Sequence, residues 1–314
     1  MKTPTKILGI LSILLLAFST MTAQNTKTYD HRFDPPWDDV PQEGTQFIPY
    51  GIDNAPDFHG DINNPDLVIF FAGNQYMVVP ELLEAFRKEY PQYKRVFAET
   101  IPPGIENRQV ESGALVLGSM RITLKPDIVT AGKGKIDKQK EAGTLTETLD
   151  YAKNKLAIMV YKGNPTGIKT LKDLGNPEVR VSNPNPEWEG IAAHINDAYV
   201  NAGGDDLKKL VMTDKVAKNS TFLTTIHHRQ TLMRIMYGQS DAGPVWYSEA
   251  YYHAKMTNHP IEMVTIADDV NVEVTYSAGI RKEAPRPEAA KAFMKFLNST
   301  TAHDLYKKYG FTMP

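Results

Sequence analysis

The chain contains no cysteine. That excludes a disulfide framework, a thiolate metal centre, a cysteine nucleophile and a lipid-bearing cysteine at a lipoprotein cleavage point. The common catalytic spacings are missing too: there is no HExxH, GxSxG, GxxxxGK or GxGxxG. No apolar run is long enough to cross a bilayer, which takes about 20 residues; Ile7–Phe18 falls short. Charge of one sign is scarce as well. The formal net charge is −2, and mild acidity argues against a general nucleic-acid binder. No internal repeat or low-complexity tract is present.

What is there is an ordinary globular balance: 314 residues, 41% hydrophobic and 23% charged, a length that suits two lobes or one large domain. Lys2 and Lys6 precede Ile7–Phe18, and small residues follow to Gln24. This pattern predicts a cleaved export signal over residues 1–23 and a periplasmic mature protein without an anchor. The cut after Ala23 places Met21 where a small residue is preferred. Residues 24–65 are rich in Pro, Asp, Asn and Gly without periodicity, and predict an extended strap. Within it Asp53, Asp57, His59 and Asp61 are metal ligands by residue type, but turn-capping carboxylates fit the neighbouring Pro56 and Gly60 better.

The organising stretch is Asp66–Pro91. Leu67–Ala72 is a continuous apolar run, the pattern of a strand covered on both faces. Gly73-Asn74-Gln75 breaks it, and Pro80 opens a helix with Val79, Leu82, Leu83, Phe86 and Tyr90 on one face. Strand, polar turn, helix is half of a βαβ unit, whose turn lies where helix N-termini offer N–H groups to a ligand. Strands follow at Arg95–Glu99, Asp127–Thr130, Leu156–Tyr161, Glu178–Ser182, Asp241–Tyr247 and Val272–Ile280. Helices are predicted at Ile105–Ser112, Ile136–Ala142, Gly190–Tyr199, after Thr225, and at Pro287–Leu297. Ala114–Leu124 reads as a β-hairpin around Gly118-Ser119. Lys133, Lys135, Lys138 and Lys140 read as a solvated helix face. His227-His228 reads as structural or capping, because adjacent helical residues point apart. Trp188, on a loop between prolines, suits a pocket wall; core packing suits Trp246.

The order of DIVTAG, KQKEAGTL, LAIMVYKGNP, LKDLGNPEVRVSNP, GQSDAGPVWYSEA and PEAAKAFMKFLNSTTAHDLYKKYGF resembles the periplasmic molybdate-binding proteins of ABC importers, over Asp66–Phe311. The resemblance implies an α/β fold of two lobes, each a mostly parallel sheet flanked by helices, joined by a hinge of crossover strands. Lobe 1 is then 66–150 plus 270–314, and lobe 2 is 151–269. It implies a small oxyanion held in the cleft and delivered to an ABC permease of the inner membrane, with no cofactor. The binding positions fall on Asn74 with Gln75, Pro103-Gly104, Trp188-Glu189-Gly190, His228, and Trp246 with Tyr247. The family's two serines fall on Asn74 and Pro103, and its loop alanine on Glu189, so the scaffold matches where the ligand side chains do not.

The expectation is therefore a monomeric solute-binding component of an importer, not an enzyme and not a nucleic-acid partner. Its ligand is expected to be an oxyanion of the molybdate or tungstate class. A metal ion or metal chelate held by Glu189 and His228 is the alternative on the same scaffold, with an exported enzyme or a sensor subunit behind it.

Overall fold

The computed structural model describes residues 57–117, 120–187, 189–225 and 229–314. The export segment, most of the strap, Asp53, Trp188, His227 and His228 lie outside the described residues. In chain order the elements begin with β1 (Phe58–Gly60) and β2 (Leu67–Phe70). A single 3₁₀ turn, Gly73–Gln75, leads to α1 (Val79–Glu89). Then come β3 (Val96–Glu99), α2 (Pro103–Ser112), β4 (Leu115–Leu117), β5 (Met120–Ile122), β6 (Ile128–Gly132), α3 (Lys133–Glu141) and β7 (Leu145–Asn154). The second half carries β8 (Leu156–Tyr161), β9 (Val181–Asn183), α4 (Ile191–Lys209), β10 (Thr221–Leu223), α5 (Gln230–Met236), β11 (Ala242–Trp246) and α6 (Tyr247–Lys255). The chain closes with β12 (Ile261–Thr265), β13 (Val274–Arg281), α7 (Pro287–Leu297) and α8 (Thr300–Lys308).

These strands form two sheets, ordered β1-β3-β2-β6-β13-β7 and β10-β9-β11-β8-β12, with β4-β5 as a separate hairpin. Each sheet is mixed. β3-β2-β6 and β10-β9-β11 are parallel, as strands joined through helices must be. The strands that carry the chain between sheets, β7, β8 and β13, are antiparallel to their neighbours. The strap also contributes: β1 pairs antiparallel with β3 and forms the edge of the sheet. Gly60 closes that pairing at φ +83, where an added Cβ would stand 1.9 Å from the Val96 carbonyl oxygen; only glycine fits.

Both sheets are covered on both faces, which is why their strands read as continuous apolar runs. One face of the first sheet buries α1, α7 and α8 through Leu82, Leu83, Phe86, Phe293, Phe296 and Tyr306; the other takes Ile136 of α3. The second sheet is held between α4 (Ile195, Ala198, Tyr199) and α5 with α6 (Leu232, Ile235, Ala250). The strand β7, the edge strand β12 and helix α6 escape the sequence reading, because their alternation is broken by lysines, threonines and tyrosines. α4 runs beyond the predicted Tyr199, through a break in helical geometry at Gly203 and Gly204.

Phe86 is fully buried at the centre of the largest cluster, with ring centroids 5.1 Å from Phe293, 5.2 Å from Tyr90 and 5.5 Å from Phe296. Phe86→Ala should cost about 3–5 kcal/mol in urea denaturation with an unchanged slope, since the rigid rings around it cannot collapse into the space. A loss under about 1 kcal/mol would show that this cluster is loosely packed.

Candidate functional site

One cavity of about 560 Å³ is lined by residues of both sheets and of their connections. It sits at the carboxyl edge of the parallel strands, where ligands gather in open α/β sheets. From the first sheet come Ala72, Gly73 and Asn74 after β2, Pro102 and Pro103 after β3, and Gly132 to Lys135 after β6. Glu273 to Tyr276, at the start of β13, reach the same edge because β13 runs antiparallel and pairs Tyr276 with Gly132. The second sheet supplies Glu189, Gly190, Ile191 and His194 at the start of α4, and Trp246 at the end of β11.

Helix starts dominate this list. The first N–H groups of a helix have no partner within it and carry the positive end of the helix dipole. α3 opens into the cavity with Lys133, Gly134 and Lys135, and α4 opens from the opposite side with Gly190 and Ile191. Lys135 spans the gap: a Cβ on Gly190 would stand 3.7 Å from its Nζ. Lys133 is half exposed and already paired, 3.0 Å from Asp137 and 3.5 Å from Asp150. Among the described residues Lys135 makes no ion pair, so its charge faces the cavity uncompensated.

The sequence-predicted site residues divide. Asn74, Pro103, Glu189, Gly190 and Trp246 line the cavity. The Asn74 amide donates to the Tyr276 hydroxyl at 2.7 Å. The Glu189 carboxylate accepts from Thr224 Oγ1 and, at 3.2 Å, from the Asn185 N–H. Its own N–H donates to the Asn185 carbonyl at 3.0 Å. Trp246 meets Tyr276 edge to face with centroids 5.9 Å apart, and His194 at 5.8 Å.

Gln75 turns into the first sheet instead. It donates to Thr130 at 3.2 Å and accepts from the hydroxyls of Tyr151 (2.9 Å) and Tyr306 (2.7 Å). Tyr247 faces a different hollow, stacked on Tyr251 with Lys155 5.9 Å from its ring. Gly104 lies behind Pro103 and does not line the cavity. Trp188 and His228 lie outside the described residues.

Lys133, Lys135, His194 and Tyr276 are among the lining residues that were not singled out as ligand-binding. The signal for the lysines was in Gly132-Lys133-Gly134-Lys135, directly after an apolar strand. A solvated face describes Lys140, which is exposed and donates to Thr148 at 3.1 Å; Lys135 is exposed as well but also lines the cavity.

The candidate strap ligands have structural duties. Asp61 accepts from the N–H groups of Asn63 (2.8 Å) and Asn64 (3.1 Å), the expected turn cap. Asp57 is buried in an ion pair with Arg229, whose guanidinium also donates to the Thr100 carbonyl at 3.2 Å and covers the Tyr76 ring at 4.8 Å. His59 shares a hydrogen bond with Thr100 at 3.2 Å. Burial, aided by the Arg229 charge, lowers its pKa to about 3. Among the described residues no group of three or more His, Asp or Glu is placed to hold a metal ion.

Two carboxyl groups are buried near α2, apart from the residues that line the cavity. Burial pushes the Glu99 carboxyl up to about 8; a hydrogen bond from Gln109 (2.9 Å) opposes this, and the Asp57 charge adds to it. Glu106, on the first turn of α2, is pushed well above the carboxylate range by burial and then by Glu99, with Lys135 opposing. Burial, with a smaller contribution from Lys135, lowers the His194 pKa, so this ring is neutral at pH 7. A raised carboxyl stabilises the fold at low pH. That contribution is lost as pH rises from about 4.5, where the unfolded side chain ionises, to about 8, where the folded one does. Glu99→Gln should therefore gain stability over wild type as pH rises from 5 to 8, on the order of 1 kcal/mol per unit. Equal urea midpoint differences at pH 5 and pH 8 would refute a protonated Glu99.

Comparisons with known proteins agree with this architecture. A family model described as bacterial extracellular solute-binding protein matches residues 67–312. The sulfate-binding protein of Escherichia coli strain K12 is 25% identical over 246 residues, 71% of this chain and 74% of that protein. The molybdate-binding protein ModA of Mycobacterium tuberculosis strain H37Rv is 24% identical over 59% of this chain, a match that spans 64% of the relative's own length. Among solved structures, the periplasmic molybdate-binding protein of Azotobacter vinelandii superposes with a TM-score of 0.63 at 17% identity, covering 79% of this chain and 99% of that one. With two mixed sheets, a cavity between them and a family model matched across nearly all of its described length, this chain belongs to the bacterial extracellular solute-binding proteins.

Proposed function

We propose that the protein is the periplasmic solute-binding component of an ABC importer and that its solute is an anion bearing an oxyanion group. The observation that carries this reading is the meeting of the α3 and α4 N-termini with the Lys135 ammonium at one cavity. Unpaired N–H groups hold an anion by hydrogen bonds and by the helix dipole. Of the nearby carboxyl groups, Glu99 has its pKa raised to about 8 and Glu106 is pushed well above the carboxylate range by burial, Glu189 is turned into other bonds, and Glu273 is paired with Lys153 at 2.8 Å. A carboxylate aimed at the anion from about 4 Å would cost roughly 4 kcal/mol at an effective dielectric of 20; the bonds of Glu189 to Thr224 and Asn185 hold it out of that position.

Capture then proceeds by approach of two lobes. The passages between sheets are short: β7 ends at Asn154 and β8 starts at Leu156, while 266–273 carries the chain back to β13. Asn271 holds both passages together, accepting from the Leu156 N–H and donating to the Leu156 carbonyl, each at 3.0 Å. We place the hinge there, with lobe 1 as 66–150 plus 270–314 and lobe 2 as 151–269. Closure around an anion removes water, which strengthens the Lys135 attraction. The closed form is the one a permease would receive.

The metal reading would require the Glu189 carboxylate to leave Thr224 and the Asn185 N–H. Calorimetry of the mature protein should therefore show binding of oxyanions and none of ferric or zinc ions. Lys135→Met should weaken anion binding at least tenfold, about 1.4 kcal/mol, with little change in melting temperature of the free protein. Saturating anion should also reduce the radius of gyration in small-angle scattering. Binding of the metal salts alone would replace this reading with the metal alternative.

A further inference from the structure

The character of the cavity wall narrows the solute further, on the assumption that the anion reading is correct. A bare tetrahedral oxyanion is held tightly when donors surround it on every side. Here the two helix starts and the one lysine without an ion pair among the described lining residues gather in one region, the starts of α3 and α4 with Lys135. Elsewhere the positions offer little. Pro102 and Pro103 have neither N–H nor hydroxyl. The Asn74 amide already donates to Tyr276, and the Glu189 N–H already donates to Asn185. Ile191, Val274 and the buried rings of Trp246 and Tyr276 make up much of the rest of the wall, with Thr275, His194 and Glu273, the last paired with Lys153 at 2.8 Å, as its other polar members. The cavity, at about 560 Å³, lies within the range of sites for organic molecules, roughly 300–1,000 Å³. A bare oxyanion would leave most of that volume as water against apolar surface, without the gain of burying it.

From this division we infer that the solute is an organic oxyanion, a phosphate monoester or carboxylate on a flat, mostly apolar body. Its charged end lies at the α3 and α4 starts beside Lys135. Its body lies along Pro102, Pro103, Ile191 and Val274, with the edges of Trp246 and Tyr276 closing the space. The body supplies affinity by displacing water from the apolar wall, and the head supplies orientation. Trp246 acts as a specificity residue: a smaller side chain there would widen the space for the body without touching the head.

The test compares probes that share a head and differ in body, titrated by calorimetry into the full mature protein. The probes are inorganic phosphate against phenyl phosphate, acetate against benzoate, and phenol as body without charge, with molybdate and sulfate alongside. Phenyl phosphate and benzoate should each bind at least tenfold more tightly than phosphate, acetate, molybdate or sulfate, and phenol at least tenfold more weakly than phenyl phosphate. Lys135→Met should weaken phosphate and phenyl phosphate by similar factors. Trp246→Phe, which keeps an aromatic ring in the core, should change phenyl phosphate binding at least threefold and leave phosphate within twofold. Molybdate or sulfate binding as tightly as any organic probe would overturn the inference and leave the anion reading standing. Phenol binding as tightly as phenyl phosphate, or no anion binding at all, would remove the anion reading and this inference together.

Discussion

A helix start leaves N–H groups that nothing within the helix can satisfy, and the architecture of this cavity follows from where those groups are placed. α3 follows β6, which runs parallel to β2, and α4 follows β9, which runs parallel to β10 and β11, so both open at the carboxyl edge of a sheet. The two edges face one another, and each helix sends unpaired donors into the same space. The electrostatic surroundings suit an anion there. Lys135 lies on the first turn of α3 and reaches the start of α4, while burial raises the carboxyl pKa of Glu99 to about 8 and that of Glu106 well above its ordinary value. Burial, a cost for an isolated carboxylate, here lowers the negative charge of the interior near α2.

A second interaction joins the two sheets on another side. Arg229, directly before α5, reaches Asp57, Thr100 and the ring of Tyr76, all of which belong to the first sheet or its approaches. Both charged side chains are buried. Such a pair adds little net stability over an apolar alternative, yet loss of either partner leaves the other charge stranded. Its effect is on position: it holds the end of the strap against β3 and seats the start of α5 there. Tyr76 extends the contact, with its hydroxyl 2.5 Å from His253 of α6, which is in turn 2.8 Å from His259. Burial lowers the His253 pKa well below its ordinary value, so this ring is neutral at pH 7.

Much of the scaffold was legible because its causes are local. Pro80 and Pro287 open amphipathic helices, Gly143 ends one with a positive φ of 69, and Leu156–Tyr161 is apolar because both faces are covered. The hairpin at 115–122 announced itself by its central Gly-Ser. The site was legible in part. Asn74, Pro103, Glu189, Gly190 and Trp246 line the cavity, since strand ends and helix starts gather there by topology. Gln75 was misleading for a physical reason: in a tight 3₁₀ turn adjacent side chains diverge, so Asn74 looks outward and Gln75 inward. Tyr247 diverges from Trp246 for the same reason, at the change from strand to helix.

Local sequence alone determined the class of the chain, the absence of thiol chemistry, the positions of most strands and helices, and where helix starts would fall. Those properties depend on residues within a few positions of one another, through dihedral preference, periodicity and capping. Tertiary structure alone decided which helix starts share one cavity, that β13 returns between β6 and β7 to bring Tyr276 beside Asn74, and that Lys135 faces Gly190. It also decided that Glu99 and Glu106 lie together in the interior, where burial raises their carboxyl pKa values. Each of these depends on groups far apart in the chain, and a carboxyl's charge state is set by its neighbours in space and by the water they exclude.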